Sequence, residues 1–187
     1  MTTSAQPDCP SHVKAAFAYV ATRVPAPRIA VLSFHGYYDP DRTRLKFERS
    51  GPREEVFFRG INAAVARLMG QHEKVVLAMD VPDLPFRPRD CFRPIFSAEH
   101  DCVLERRAVD QRQREYRNMI ERLRQAWPRL VIFDPFPVIC PEATCTPIRG
   151  EFSLYRDKTH LSLIGSRAVA KALLVAISES GPIGSRP

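Results

Sequence analysis

Apolar positions along the chain follow two alternating patterns, one with helical spacing and one continuous. Residues 12–24 show the helical spacing, with Val13, Phe17 and Val20 on one face. Short apolar runs such as RIAVLSF lie between the helical segments, and such runs are typical of strands buried on both faces. We predict helices over 12–24, 54–70, 104–127 and 161–177, and strands over 28–34, 74–82 and 129–135.

Helices that alternate with buried strands predict an α/β fold, a three-layer α/β/α sandwich around a mainly parallel sheet. Sites in such sheets form at the carboxyl ends of the strands. We expect the loops after Phe34, Asp80 and Asp134 to lie there. A small hairpin within 145–157, with Arg149 and Gly150 at its turn, should lead to the same edge.

Length and composition favour one domain. The 187 residues are 44% hydrophobic, which suffices for a real core, and we predict a single domain over 9–178 between flexible segments 1–8 and 179–187. Mean hydropathy is −0.25, and no apolar run approaches a membrane span. The N-terminus lacks the features of a signal peptide, so a complete chain would be cytoplasmic.

The chain is basic, with a net charge of +7 and an excess of arginine over 42–53, 87–93 and 106–124. Such a balance can indicate nucleic acid, an anionic polysaccharide or an anionic membrane surface. No stripe interleaves arginine with aromatic residues, as single-strand binders require. We therefore favour a solvated basic face and expect no nucleic-acid partner.

Four of the five cysteines fall in two close pairs within proline-rich, loop-like sequence. The pairs are Cys91 with Cys102 and Cys140 with Cys145. Disulfides are favoured over zinc, because neither pair has the spacing of a zinc knuckle and His100 alone does not complete a site. We expect no metal and no cofactor. Cys9 is left over, and an odd cysteine of this kind is notable.

The stretch Asp157-Lys-Thr-His160 has two interpretations. A carboxylate three residues before a histidine can orient one ring nitrogen, so that the other takes a proton from a nucleophile. In the alternative, Asp157 caps a turn and His160 packs against the last helix. These four residues alone favour the turn.

The surrounding sequence resembles a known family. The Cys-flanked CPEATC loop followed by LYRDKTHLSLIG and an apolar helix resembles the C-terminal end of the SGNH hydrolase-like domain of bacterial membrane acyltransferases, the O-antigen and surface-polysaccharide O-acetylase type. VVLAMDVPDLPFRPRDC, RAVDQRQREYRNMIERL and RIAVLSFHGYYDP resemble its upstream strand and loop, its long helix and an earlier strand. Most of residues 9–177 is covered.

The resemblance implies that His160 is the general base and Asp157 its orienter, in a domain that faces the periplasm and follows a membrane acyltransferase domain. The family's nucleophilic serine stands in a Gly-Asp-Ser block near the domain's N-terminus, and that string does not occur in this chain. Cys9 would match a cysteine that pairs with one in the missing segment. The resemblance thus predicts a sandwich incomplete at its N-terminus, from a split or truncated gene.

Two residues could replace the missing parts. Ser33 ends an apolar strand and could be the nucleophile, although its neighbours are large where a nucleophile elbow favours small ones. Gly36 could donate a backbone N–H to an oxyanion, although a turn glycine is the simpler interpretation. The two asparagines, Asn62 and Asn118, fall inside predicted helices and away from strand ends.

Three functions follow, in order of preference. The first is an SGNH-type acyltransferase or esterase that acts on O-acyl groups, such as acetyl, of a cell-surface glycan or a small acyl ester. The second is a catalytically inactive SGNH-like remnant or partner subunit that lacks the nucleophilic serine. The third, a basic module that binds nucleic acid or glycan, rests on charge alone.

Overall fold

The computed structural model describes residues 2–3, 9–23, 28–34, 45–46, 52–92 and 102–181. The helices are α1 Cys9–Ala21, α2 Arg53–Met69, α3 Arg106–Arg112, α4 Arg114–Ala126, α5 Phe136–Ile139 and α6 Leu163–Glu179, with a 3-10 helix at Pro88–Phe92. The strands are β1 Thr2–Thr3, β2 Ile29–Ser33, β3 Leu45–Lys46, β4 Lys74–Ala78, β5 Leu104–Glu105, β6 Val131–Phe133, β7 Thr144–Cys145, β8 Ile148–Arg149 and β9 Phe152–Ser153.

The central sheet has the parallel order β2-β4-β6. Strand β4 reads KVVLA, and its first four residues are buried, as a strand between two neighbours and two covered faces requires. The strands are shorter than the apolar runs that predicted them. They confirm the α/β fold with a parallel sheet.

One face of the sheet packs against α2 and α4. Successive side chains of a strand point to opposite faces, so Val75, Leu77 and Met79 share this one. They join a core of buried residues from both helices. The helical members of that core are Phe57, Ile61, Val65, Leu68, Tyr116, Met119, Ile120 and Leu123.

Helix α6 lies on the opposite face. The side chain of Lys74 points to that face and is buried, and its ammonium group donates to the carbonyl oxygens of Ile177 and Gly181, each at 2.8 Å. The carbonyls at the end of a helix lack partners within the helix and carry partial negative charge, so they accept a buried cation. The sheet therefore has helices on both faces.

The single helix predicted over 104–127 is wrong. Leu104 and Glu105 pair with β7 in a short antiparallel ladder, and α3 and α4 meet at Gln113. The break lets Val109 of α3 join a second buried cluster with Leu84, while α4 packs on the sheet.

The predicted hairpin is present as β8 and β9, with Gly150 at its turn in the left-handed region, at φ 59°. The turn is Gly150–Glu151, one residue later than predicted. Helix α6 begins at Leu163, not Leu161, because Leu161 forms a bridge with Tyr155.

Disulfides connect the segments around the second cluster. Cys91 of the 3-10 helix is bonded to Cys102 just before β5, with the Cα atoms 5.8 Å apart. Cys140, after α5, is bonded to Cys145 of β7, with the Cα atoms 5.3 Å apart. Cys9 is the first residue of α1. In the described ranges no helix combines the length and apolar character of a membrane span.

The start of α6 lies directly against the backbone of Leu154. Ser162 caps the helix: its hydroxyl accepts from the Gly165 N–H at 3.2 Å and donates to the Ser153 carbonyl at 2.6 Å. A Cβ on Gly165 would overlap the Leu154 carbonyl group. Only glycine fits this contact, which sets the position of the segment between β9 and α6.

Gly165→Ala should lower the free energy of unfolding by about 1–3 kcal/mol, because a side chain is forced into a packed backbone contact. Chemical denaturation measures the change. Gly70→Ala is the matched control, since a Cβ there would make only ordinary contacts, the nearest at 3.6 Å. An equal effect of the two substitutions would contradict the close approach at Gly165.

Candidate active site

Asp157 and His160 form a hydrogen-bonded pair. The Nδ1 atom of His160 lies 2.9 Å from one carboxylate oxygen of Asp157 and 3.0 Å from the other. The His160 side chain is 65% exposed, and among the described residues no hydrogen bond engages its Nε2 atom. One ring nitrogen is thus held, and the other is open to a substrate or a nucleophile.

The same carboxylate closes a turn. One oxygen of Asp157 accepts from the backbone N–H of Thr159 at 2.9 Å and of His160 at 2.8 Å. The Arg156 N–H donates to the His160 carbonyl at 2.8 Å, which closes the loop from the other side. The two interpretations of the sequence are therefore compatible, because the turn that Asp157 caps is what brings the ring to its carboxylate.

Hydrogen bonds keep Asp157 ionised. The backbone N–H of Thr159 and then the His160 side chain lower the pKa of the Asp157 carboxyl far below its usual range, because they stabilise the charged form. Arg156 lies at 3.4 Å from the second carboxylate oxygen. A fixed negative charge beside Nδ1 favours the tautomer with its proton on that atom, which leaves Nε2 free to accept one.

Contacts to the loop after β4 hold the pair at the carboxyl edge of the sheet. The buried hydroxyl of Tyr155 donates to the Pro82 carbonyl at 2.7 Å, and burial raises the pKa of Tyr155, so the donor keeps its proton. The Leu84 N–H donates to the Lys158 carbonyl at 2.8 Å, and Lys158 Nζ donates to the Pro85 carbonyl at 3.1 Å.

The aspartates that follow β4 and β6 have structural partners. The Asp80 N–H donates to the Tyr116 hydroxyl at 3.0 Å, and the Asp80 carboxylate accepts from the Val81 N–H. Asp134 forms an ion pair with Arg117 at 2.7 Å and accepts from the Phe136 N–H. These contacts join the loops at the strand ends to α4.

Ser33 is the last residue of β2, where it aligns with Ala78, and it is exposed. By strand alternation its side chain points away from the α2–α4 core, to the same face as the exposed side chain of Val31. Within the described residues no hydrogen bond joins Ser33 to His160. Gly36, the predicted oxyanion donor, lies outside the described residues. Asn62 and Asn118 lie within α2 and α4.

A basic cavity of about 460 Å³ adjoins Asp157, and sequence reasoning did not assign it to the site. Its lining residues are Arg87, Pro88, Arg89, Arg156, Asp157 and Lys158. In the sequence, Arg87 and Arg89 of the PFRPRD stretch stood out only as part of the general excess of arginine. Over the described ranges, no cluster of three or more His, Cys, Asp or Glu residues is arranged to hold a metal ion.

Asp157→Asn should destabilise the protein in a pH-dependent way. Because the pKa of Asp157 is lower in the folded than in the unfolded state, its carboxylate stabilises the fold above the unfolded pKa of about 4 and loses this effect as the pH falls. Urea denaturation at several pH values should show a stability deficit at pH 7 that shrinks toward pH 2.

Glu151→Gln is the control, since Glu151 is an exposed carboxylate in the β8–β9 turn. It should change stability little at any pH. An Asp157→Asn deficit that stays constant between pH 7 and pH 2 would show that the charge of Asp157 does not hold the turn.

Comparisons with known proteins bear on the family and the fold of the chain. Residues 1–174 match the family model described as the SGNH domain (fused to AT3 domains). Among solved structures, the chain is similar to the periplasmic domain of a lipopolysaccharide acetyltransferase from Salmonella ser. Paratyphi A, with a TM-score of 0.63 and 10% identity. That match covers 93% of this chain and 65% of the other, so this chain spans less than two thirds of its structural neighbour.

No match was found among curated proteins. The family model nevertheless covers nearly the whole chain, and the solved structure shares its α/β fold. The chain belongs to the family of SGNH domains that are fused to AT3 domains.

Proposed function

We propose that this chain acts in acyl transfer, on O-acyl groups such as acetyl of a cell-surface polysaccharide, with His160 as the general base and Asp157 as its orienter. The observation that carries the proposal is the pair itself: Nδ1 is held 2.9 Å from Asp157 and Nε2 is exposed, in a chain of the SGNH family. Its partner would be an AT3 domain, and its compartment the periplasm, where both disulfides would persist.

In the proposed reaction, Nε2 of His160 takes the proton from a serine hydroxyl as the serine oxygen attacks the acyl carbonyl carbon. The tetrahedral intermediate collapses to an acyl-serine, and the imidazolium returns its proton to the departing oxygen. A sugar hydroxyl, or water in hydrolysis, then gives its proton to Nε2 as its oxygen attacks the carbonyl carbon of the acyl-serine. The second tetrahedral intermediate collapses by breaking the bond to the serine oxygen, which takes the proton back from the imidazolium, and the acylated sugar or the free acid leaves. The negative charge of Asp157 stabilises the imidazolium in both halves.

Ser33 is the candidate nucleophile within the chain. It is exposed at the carboxyl end of β2, on the sheet face opposite α2 and α4. For this role its hydroxyl would have to approach Nε2 of His160 when substrate is bound. Gly36, which lies outside the described residues, remains a candidate for an oxyanion donor.

His160→Ala should lower the rate of cleavage of p-nitrophenyl acetate by about 100-fold or more, because the general base is lost. Release of p-nitrophenol is measured by absorbance. His12→Ala is the control, since His12 is an exposed histidine on α1, and it should leave the rate unchanged. If Ser33 is the nucleophile, Ser33→Ala will match the effect of His160→Ala. Cleavage that survives His160→Ala would overturn the assignment.

A second candidate is a domain that keeps the fold and the pair but cannot form an acyl-enzyme by itself. Two observations favour it: the Gly-Asp-Ser string is absent from the chain, and no hydrogen bond joins Ser33 to His160 in the described part. Such a chain would serve as a partner subunit, with the serine supplied by another polypeptide segment.

A fluorophosphonate probe distinguishes the two candidates, because it reacts covalently with an activated serine. Mass spectrometry should find one probe per chain, on Ser33, if the chain is a complete catalyst. A chain that stays unlabelled, while a serine hydrolase in the same tube is labelled fully, would support the partner subunit and exclude Ser33 as the nucleophile.

A further inference from the structure

We propose that the basic cavity beside Asp157 binds an anionic group of the acceptor glycan, a carboxylate or a phosphate on or next to the sugar that is acylated. The inference rests on the proposed acyl-transfer function and adds to it a class of substrate, an acidic polysaccharide. Three features of the cavity support it: its excess of positive charge, the fixed segments that form it, and its position beside Asp157.

The charge of the cavity is strongly unbalanced. Among the described residues its lining holds four cationic side chains and one carboxylate, which lies 3.4 Å from Arg156. That carboxylate, Asp157, already accepts hydrogen bonds from His160 and from backbone N–H groups. Arg89 has a distant ion pair with Asp90, at 4.0 Å. The positive charge at the cavity therefore exceeds what its own acids can neutralise, and an anion would be attracted there.

The cations come from two segments that are fixed against each other. Arg87 directly precedes the 3-10 helix and Arg89 lies within it, and Cys91 of this helix is bonded to Cys102. Arg156 and Lys158 belong to the turn that contains Asp157, and Lys158 Nζ donates to Pro85 just before Arg87. Because the two backbone segments are fixed, binding of an anion requires the ordering of the cationic side chains alone.

The shape of the cavity suits a polymer that lies across it. The Arg89 and Arg156 side chains are 74% and 70% exposed, so a ligand could enter from solvent and extend beyond the site. The volume of about 460 Å³ falls in the range of small-ligand sites, about 300–1,000 Å³. Guanidinium groups bind carboxylates and phosphates through paired hydrogen bonds, which gives the site a preference for these two groups.

The composition of the lining favours a glycan over a nucleic acid. None of the described residues that line the cavity is aromatic, so they offer no platform on which bases could stack. Arg156 and Lys158 flank Asp157 directly, so an anion bound between them would lie near the Asp157–His160 pair. The acidic group and the acylated hydroxyl would then belong to the same sugar or to neighbouring sugars.

The test measures binding to the full 187-residue chain by isothermal titration calorimetry. The probes are tetragalacturonate for the carboxylate, a tetramannose that ends in mannose 6-phosphate for the phosphate, and uncharged maltotetraose. At least one acidic probe should bind about tenfold more tightly than maltotetraose, and the one that does identifies the anion. Equal binding of all three, or binding of none, would overturn the proposal.

Two double variants locate the binding. Arg87→Gln with Arg89→Gln should weaken binding of the acidic probe about tenfold, because two charge-assisted contacts are lost. Arg107→Gln with Arg114→Gln is the matched control, since it removes the same charge from exposed positions on α3 and α4. Equal losses in both variants would overturn the proposal, because they would indicate attraction to net charge alone.

His160→Ala separates this proposal from the proposed function. It should bind the acidic probe as tightly as the unaltered chain, because His160 does not line the cavity. If the p-nitrophenyl acetate experiment fails but the acidic probe still binds, only the proposed catalytic role of His160 is contradicted. A hexathymidylate oligonucleotide serves as the nucleic-acid probe. The assignment to a glycan would be overturned if it binds as tightly as the acidic sugar and if the variant with Arg87→Gln and Arg89→Gln loses that binding.

Discussion

The site depends on one buried hydrogen bond, from the Tyr155 hydroxyl to the Pro82 carbonyl. It joins the segment between β9 and α6 to the loop that follows the central strand, inside a cluster that includes Leu84, Phe136 and Leu154. A buried carbonyl without a partner is costly, and so is a buried hydroxyl, so each fixes the other. Together with the bond from the Leu84 N–H to the Lys158 carbonyl, this contact sets the place of the Asp157 turn relative to the sheet.

The protein has two cores with different constructions. The larger lies between the sheet and the α2–α4 pair and is built from regular helices and strands. The smaller is built from loops and short elements, and its margin carries both disulfides. Loops bury little apolar surface relative to the conformational entropy that they lose on folding. Disulfides reduce this loss because they restrict the conformations of the unfolded chain. The candidate site lies on the smaller core, which explains why the cysteines surround it.

Charge has two roles at this edge of the sheet. The carboxylate of Asp157 is held ionised by backbone N–H groups and by His160, so it acts as a fixed negative charge inside a small turn. Four cationic side chains line the cavity beside it, and their described acidic partners are Asp90 and Asp157 itself. The four are Arg87, Arg89, Arg156 and Lys158. The fixed carboxylate therefore orients the His160 ring, and the cations attract anions to the neighbouring cavity.

The sequence by itself determined the α/β class, the order of the main helices and strands and the cysteine pairs. For Asp157 and His160, local spacing allowed either a capped turn or a pair, and the resemblance of the surrounding sequence favoured the pair. Residues three apart in a turn can meet whatever the rest of the chain does. Tertiary structure decided what local pattern could not encode. The amphipathic pattern of 104–127 continued through Gln113, but the helix breaks there because its two halves pack on different cores. Likewise the arginines at 87 and 89 became part of a cavity only because Tyr155 and Lys158 bring a distant turn to their loop.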